Sequence, residues 1–285
     1  MTIDEFVHPE DAAALKTLES IPLLPAIIKK WMELRYEQME YGTNMADKIL
    51  LSPTQLPKLY NLLPPICHRL GIEQPPFFLE MNPNPNAYAF GDTYKAITIN
   101  SGIVELLNED ELRAILAHEC GHIMCRHMLY RTMAITIANE ALKFDGLASL
   151  AKPIELALMY WSRKSELSSD RVAAFIAGPE TTIRALSRIA GGPKSITSEL
   201  NLVELAEQAD QYDAIVKDGL FNKALQTCAV MYQTHPFNVV RIRELLKWIA
   251  SDEYSALREK YPSCPGCYNE IVPGARFCKH CGRKL

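Results

Sequence analysis

Two histidines four residues apart, in His118-Glu119-Cys120-Gly121-His122, constrain this 285-residue chain more than any other feature. On an α-helix, positions i and i+4 share a face, so both imidazoles project to one side. The flanks predict such a helix. Asn108 is a candidate N-cap with Glu111 three residues on, and Leu112, Ile115, Leu116 and Ile123 form an apolar face. Imidazoles so placed can hold one zinc ion, leaving Glu119 beside it free to take a proton from a metal-activated water. A chance match on an ordinary core helix is the competing reading. Cys125 and His127 lack the spacing and read as helix surface or core, and the Cys120 thiol points away from the metal face.

A hydrolytic zinc site needs a third protein ligand and one open position. Glu166 is the candidate, at the start of a helix expected to run through Val172, Ala173, Phe175 and Ile176 to a stop at Gly178-Pro179. Asp170, one turn further, is spaced to orient a ligating histidine through its ring N–H. Without the histidine motif the same two acids would read as a solvated face.

Four blocks between about residues 80 and 245 carry a family resemblance: Asn86-Ala87-Tyr88-Ala89-Phe90-Gly91, Leu112 through His122, Glu166 through Arg171, and Thr234-His235-Pro236 followed by Arg241-Ile242. In order and character they resemble the HtpX-type zinc metallopeptidases, the group that includes the prenyl-protein endopeptidases and the Oma-type mitochondrial proteases. The resemblance implies His118, His122 and Glu166 as zinc ligands, Glu119 as general base and Asp170 as the partner of a ligand. It further implies that Asn86 through Phe90 form an edge strand beside the cleft, with Asn86, Ala87 and Tyr88 as the residues to which extended substrate pairs by main-chain hydrogen bonds. A plain hairpin strand after Asn82-Pro83-Asn84-Pro85 fits the same letters. It also brings His235 to the cleft, where it could stabilise an oxyanion. A loop or helix start, with Arg241 at the surface or in a salt bridge, is the structural alternative.

A second metal site is written near the C-terminus. Cys264-Pro265-Gly266-Cys267 and Cys278-Lys279-His280-Cys281 are two C-x-x-C knuckles, with Pro273-Gly274 between them and Gly282 after. Four thiolates at this spacing favour a closed structural zinc and a fold resembling a zinc ribbon, with a redox pair or two disulfides as the alternative. His280 reads as a bystander. The basic residues Arg258, Lys260, Arg276, Lys279, Arg283 and Lys284 are offset by Glu259, Glu270 and the negative charge of a tetrathiolate zinc centre. That balance disfavours nucleic acid and leaves a protein-docking module, with Tyr268 and Phe277 as contact candidates.

The expected class is α+β: a mostly helical zincin-like peptidase domain with a small sheet and a C-terminal ribbon. The segments are 1–80, a helical leader packed on the peptidase, 81–255, the peptidase, and 256–285, the ribbon. Asp11 to Tyr41 reads as helical with a break near Pro22 and Pro25. Lys48 to Leu51, Phe77 to Met81 and Lys95 to Asn100 read as strands, and Ser52-Pro53 as the cap of a helix towards Leu70. His8-Pro9 reads as a flexible start. The apolar stretch Phe144 to Trp161 is broken by Asp145, Lys152, Pro153 and Glu155, which reads as a core or cleft-covering helix pair and departs from the membrane-embedded relatives.

A chain that is 48% hydrophobic with net charge −4 can bury a full core and implies no charged partner. Cys67, Cys120, Cys125 and Cys228 show no framework spacing, so a reducing, cytoplasmic compartment is expected, with no secretory signal. The function these readings add up to is a zinc endopeptidase acting on unfolded or damaged protein, with one catalytic and one structural zinc. A latent or non-catalytic adaptor working through the ribbon is the alternative.

Overall fold

The computed structural model describes residues 1–22, 24, 25, 28, 35–140, 148–217, 235, 237–272 and 274–285. The middle of the expected Asp11–Tyr41 helix, Phe144 and Asp145, Cys228, Thr234, Pro236 and Pro273 lie outside the described residues. Helices dominate, around one four-stranded sheet made of β1 (Ile49–Leu50), β2 (Phe77–Glu80), β3 (Ala87–Phe90) and β4 (Ala96–Asn100). The strand order is β1-β2-β4-β3, antiparallel except for the parallel pair β2–β4. Every residue of β4 is buried, as a central strand requires, and β3 is an edge.

The motif helix, Glu109–Met124, opens as its sequence predicts. Asn108 Oδ1 accepts the Glu111 N–H at 3.0 Å and Glu111 Oε2 accepts the Asn108 N–H at 3.1 Å, a reciprocal capping box. Arg188 pairs with the same Glu111 carboxylate at 2.7 Å, which compensates its complete burial. The helix packs along the long helix Ala148–Ala177, and Gly121 sets how closely they approach. A Cβ there would lie 3.0 Å from Ser169 Cα and 3.1 Å from Val172 Cβ. Gly121→Ala is therefore expected to force the helices apart at a cost of about 1–3 kcal/mol, read as a lowered urea midpoint. An unchanged midpoint would mean the interface has slack.

Several elements differ from expectation. Glu166 lies deep inside a 30-residue helix rather than at a helix start. No Gly or Pro interrupts residues 154–177, and Pro153 falls near the N-terminal end, so one helix replaces the expected pair from Ala148 onward. Ser52 caps no helix. It exchanges main-chain bonds with Gln55 at 3.0 and 3.1 Å, and the prolines at 57 and 64 instead open two short helices, Pro57–Tyr60 and Leu63–Leu70.

The start at His8-Pro9 is not a loose end. Phe6 is fully buried with its ring centroid 5.4 Å from that of Phe175, and His8 caps the helix Pro9–Glu19 by accepting the Glu10 N–H at 3.1 Å. Among the described residues no helix is long and apolar enough to cross a membrane.

The C-terminal segment folds as two matched knuckles. Tyr268 and Gly282, each just after the second cysteine of its pair, are left-handed at φ 55° and 73°. Each donates its N–H to the carbonyl of the first cysteine at 2.9 Å. Cys264 and Cys281 sulfurs stand 3.5 Å apart, and those of Cys267 and Cys278 3.6 Å. Tetrahedral zinc with bonds of about 2.3 Å has edges of about 3.8 Å, so four thiolates in this arrangement fit one zinc ion. His280 is exposed and outside the group.

Tyr268, a candidate for an outside partner, is instead used within the chain. Its carbonyl takes a bond from Arg69, the Arg258 guanidinium lies 5.0 Å over its ring, and the ring covers Gly178, where a Cβ would come within 2.4 Å. Phe277 remains 60% exposed.

Candidate metal centre

The motif helix and the long helix cross so that three side chains converge. His118 Nε2 and His122 Nε2 are 3.2 Å apart, and each lies 3.3 and 3.2 Å, respectively, from an oxygen of Glu166. Nitrogen and oxygen ligands at about 2.05 Å from a tetrahedral zinc would be separated by about 3.3 Å, so this donor set fits the ion. His235 completes a group of four potential donors, with Nδ1 2.7 Å from Glu166 Oε2.

The far side of each imidazole is also engaged. His118 Nδ1 is 2.9 Å from Asp170 Oδ1, and Arg241 grips that carboxylate with bonds of 2.6 and 2.8 Å. His122 Nδ1 is 3.0 Å from His127 Nδ1, whose ring reaches Asp11 Oδ2 at 3.0 Å. His127 is thus a neighbour of a ligand candidate, neither plain core nor surface. Of the two expectations for Arg241, surface or salt bridge, the second holds: it is 4% exposed and paired with Asp170.

Glu166 is fully buried between cations: Arg131 Nη1 at 2.5 Å and Arg241 Nη1 at 3.3 Å. Burial alone would push its carboxyl pKa up, but His235, Arg131 and Arg241 hold it well below the usual range. Burial likewise opposes ionisation of Asp170, and Arg241 overrides it to bring the pKa down. In His122, burial and then Arg131 disfavour the imidazolium, so the ring is held neutral, the form a metal needs.

In His118, burial disfavours the charged form, but Glu166 and Asp170 outweigh it and raise the pKa to about 9. Zinc can bind Nε2 only after that proton leaves. Apparent affinity is therefore expected to rise towards tenfold per pH unit from about pH 6.5 to 9, with about one proton released per ion. The metal-free fold should show the reverse trend. A raised folded pKa stabilises fully below the unfolded value and is lost as pH rises through about 9, so the chelated protein should melt lower at pH 9 than at pH 6.5. Calorimetric zinc titration in two buffers checks this, and a flat affinity would mean His118 is already neutral.

Glu119 stands beside the cluster with 1% exposure and turns towards β3. Its Oε2 accepts the Ala89 N–H at 2.8 Å, and His235 Nε2 donates to the Ala87 carbonyl at 2.8 Å. Ala87 and Ala89 therefore face their main-chain groups outward from the sheet, while Asn86 accepts from Asn100 N–H on the inner side. Asn86 and Ala87 line a cavity of ≈ 30 Å³ with His118, Glu119, His235 and Arg241, room for about two waters. Tyr88 does not join them. It pairs with Thr98, and its hydroxyl bonds Glu80 at 3.0 Å and Lys48 at 2.6 Å, because alternate residues of a strand face opposite ways.

The sequence carries no signal for the parts played by Arg131 and Asp11, and Ala89, within the block Asn86 through Phe90, takes the place beside the cluster that was expected of Tyr88. Cys120, as expected, faces away from the cluster, with its sulfur 3.9 Å from that of Cys67.

A model of the peptidase family M48 matches residues 55–249. The plastoglobule-localized metallopeptidase 48 of Arabidopsis thaliana chloroplasts is 33% identical over 263 residues, covering 90% of this chain and 76% of its own. A protease HtpX homolog of Ralstonia pickettii (strain 12J) is 28% identical over 235 residues, 72% of this chain and 79% of that one. Another, from Sulfurihydrogenibium sp. (strain YO3AOP1), is 38% identical over 224 residues, 67% and 74% of the two chains. No solved structure matches.

Proposed function

This chain belongs to peptidase family M48, with the HtpX-type zinc metallopeptidases, and from that premise we propose that it is a zinc endopeptidase cutting unfolded or extended polypeptide. The observation that carries the reading is the convergence of His118 Nε2, His122 Nε2 and Glu166 beside Glu119 and the outer edge of β3, which pairs with no further strand among the described residues. In this reading His118, His122 and Glu166 hold the ion, Asp170 and Arg241 fix the His118 ring, and the four ribbon cysteines hold a second, structural zinc. A zinc ion bound in the cluster supplies Lewis acidity that polarises a scissile carbonyl and acidifies a water.

Glu119 takes the proton of the attacking water and passes it to the departing amine. Ala87 C=O and Ala89 N–H offer the main-chain pair that an added substrate strand would use, which favours extended over compact substrates. His235, once released from Ala87, is placed to donate to the developing oxyanion. Because Glu119 and His235 now occupy that edge, a latent state, opened by substrate exchange for these bonds, is the second reading.

The segments 1–80, 81–255 and 256–285 remain our proposed division, with the ribbon as a protein-docking or stabilising unit. The buried free thiols Cys67, Cys120 and Cys125 and the tetrathiolate group support a reducing compartment such as the cytoplasm. The test is cleavage of casein against a compact folded protein. The zinc-loaded chain should cut casein alone, stop after chelation and recover with added zinc. Cleavage that persists in the metal-stripped chain would remove the proposal.

A further inference from the structure

We propose that Asp11, acting through His127, is a positioning residue for the metal centre, so that the N-terminal helix is a working part of it. The proposal rests on the reading of His122 as a metal ligand. A ligand nitrogen at Nε2 needs its lone pair, so the ring proton of neutral His122 sits on Nδ1 and requires an acceptor. The atom facing it at 3.0 Å is His127 Nδ1, which can accept only if the His127 proton sits on Nε2. That nitrogen in turn faces Asp11 Oδ2 at 3.0 Å. The carboxylate therefore fixes the tautomer of His127, and His127 fixes both the tautomer and the ring angle of His122.

The relay is built as an ordered unit. Asp11, His127 and His122 are each no more than 2% exposed. Ser168, on the long helix between Glu166 and Asp170, donates to Asp11 Oδ2 at 2.6 Å and accepts the His8 N–H at 2.9 Å. The Trp161 ring centroid lies 5.6 Å from that of His127, edge-on, closing the ring in. Asp11 thus does for His122, at one remove, what Asp170 does directly for His118. No sequence pattern announces it, because Asp11 lies 116 positions from His127.

The test uses the full-length, zinc-loaded chain and follows release of zinc to a chelator, with the ribbon ion as internal reference and Glu166→Ala assigning the faster-exchanging site. Asp11→Ala should accelerate release from the cluster by about 10- to 100-fold, the usual effect of losing a partner behind a ligand, and leave ribbon release unchanged. Asp11→Asn keeps an acceptor for His127 and should stay within a few-fold of wild type. If Asp11→Ala does not fold, Asp11→Ser, too short to reach His127, replaces it.

In a His127→Asn background, where the amide oxygen can accept from His122 without Asp11, Asp11→Ala should add nothing to the release rate. A merely structural Asp11 would lower the melting temperature while leaving release unchanged, or would accelerate it equally in both backgrounds; either result overturns the proposal. If wild type releases only the ribbon ion, the metal-centre reading itself fails, and the relay with it.

Discussion

Glu119→Gln is expected to lower casein cleavage by about 10²- to 10⁴-fold with zinc content unchanged. Glutamine keeps the shape of the side chain, and its amide oxygen can still accept the Ala89 N–H that Glu119 Oε2 accepts at 2.8 Å. What it loses is the capacity to accept a proton from water and hand it on. Glu119 is not among the converging donors, so the ion has no reason to leave. The measurement is the cleavage rate together with metal content on one preparation. Activity within tenfold of wild type would move the base elsewhere, with His235 Nε2, 3.6 Å from Glu119, the next candidate. Loss of an ion would recast Glu119 as a ligand.

Glu166→Ala is expected to be worse, because it removes two things at once. The cluster loses its only carboxylate donor, so one zinc and all cleavage should go. The fold loses the anion shared by Arg131 and Arg241, which are 1% and 4% exposed, and stripping a partner from buried charge costs about 3–5 kcal/mol. Glu166→Gln should keep more of the fold, since its amide oxygen still accepts from Arg131, yet lose the ion as completely. Zinc content and urea unfolding of the two variants separate the effects. Retention of the cluster's zinc by Glu166→Ala would remove Glu166 from the ligand set.

Local features were legible in the sequence because their causes are local. The Asn108–Glu111 box and the i, i+4 histidines follow from helix geometry over a few residues, and the cysteine knuckles announce their own turns. The strands at Phe77 and Ala96 show as short β-branched or aromatic runs. What stayed hidden was set by packing between distant segments. Nothing near Arg131 says that its guanidinium meets Glu166, and nothing near Asp11 points to His127. Tyr268 looked like a free aromatic because its cover, the bare backbone of Gly178, is far away in sequence. The long helix was begun too late because Lys152-Pro153 resembles a break when its position in the helix is unknown.

The ties between the two ends of the chain bear on when the protein becomes competent during its synthesis. His8 meets Ser168 across 160 positions, Glu5 meets Lys260 across 255, and Arg241 closes on Asp170 only after residue 240 exists. Such contacts are entropically expensive to close and form late. A ribosome delivers the helix Pro9–Glu19 before Ser168 and His127, at about 5–20 residues per second, and that helix must wait for its partners. The histidines of the motif are made before Glu166, His235 and Arg241, and emerge without them. A chain still being made therefore lacks the carboxylate, the arginine clamp and the cleft wall together, and its metal centre can close only once the segment carrying Arg241 has folded back onto the long helix.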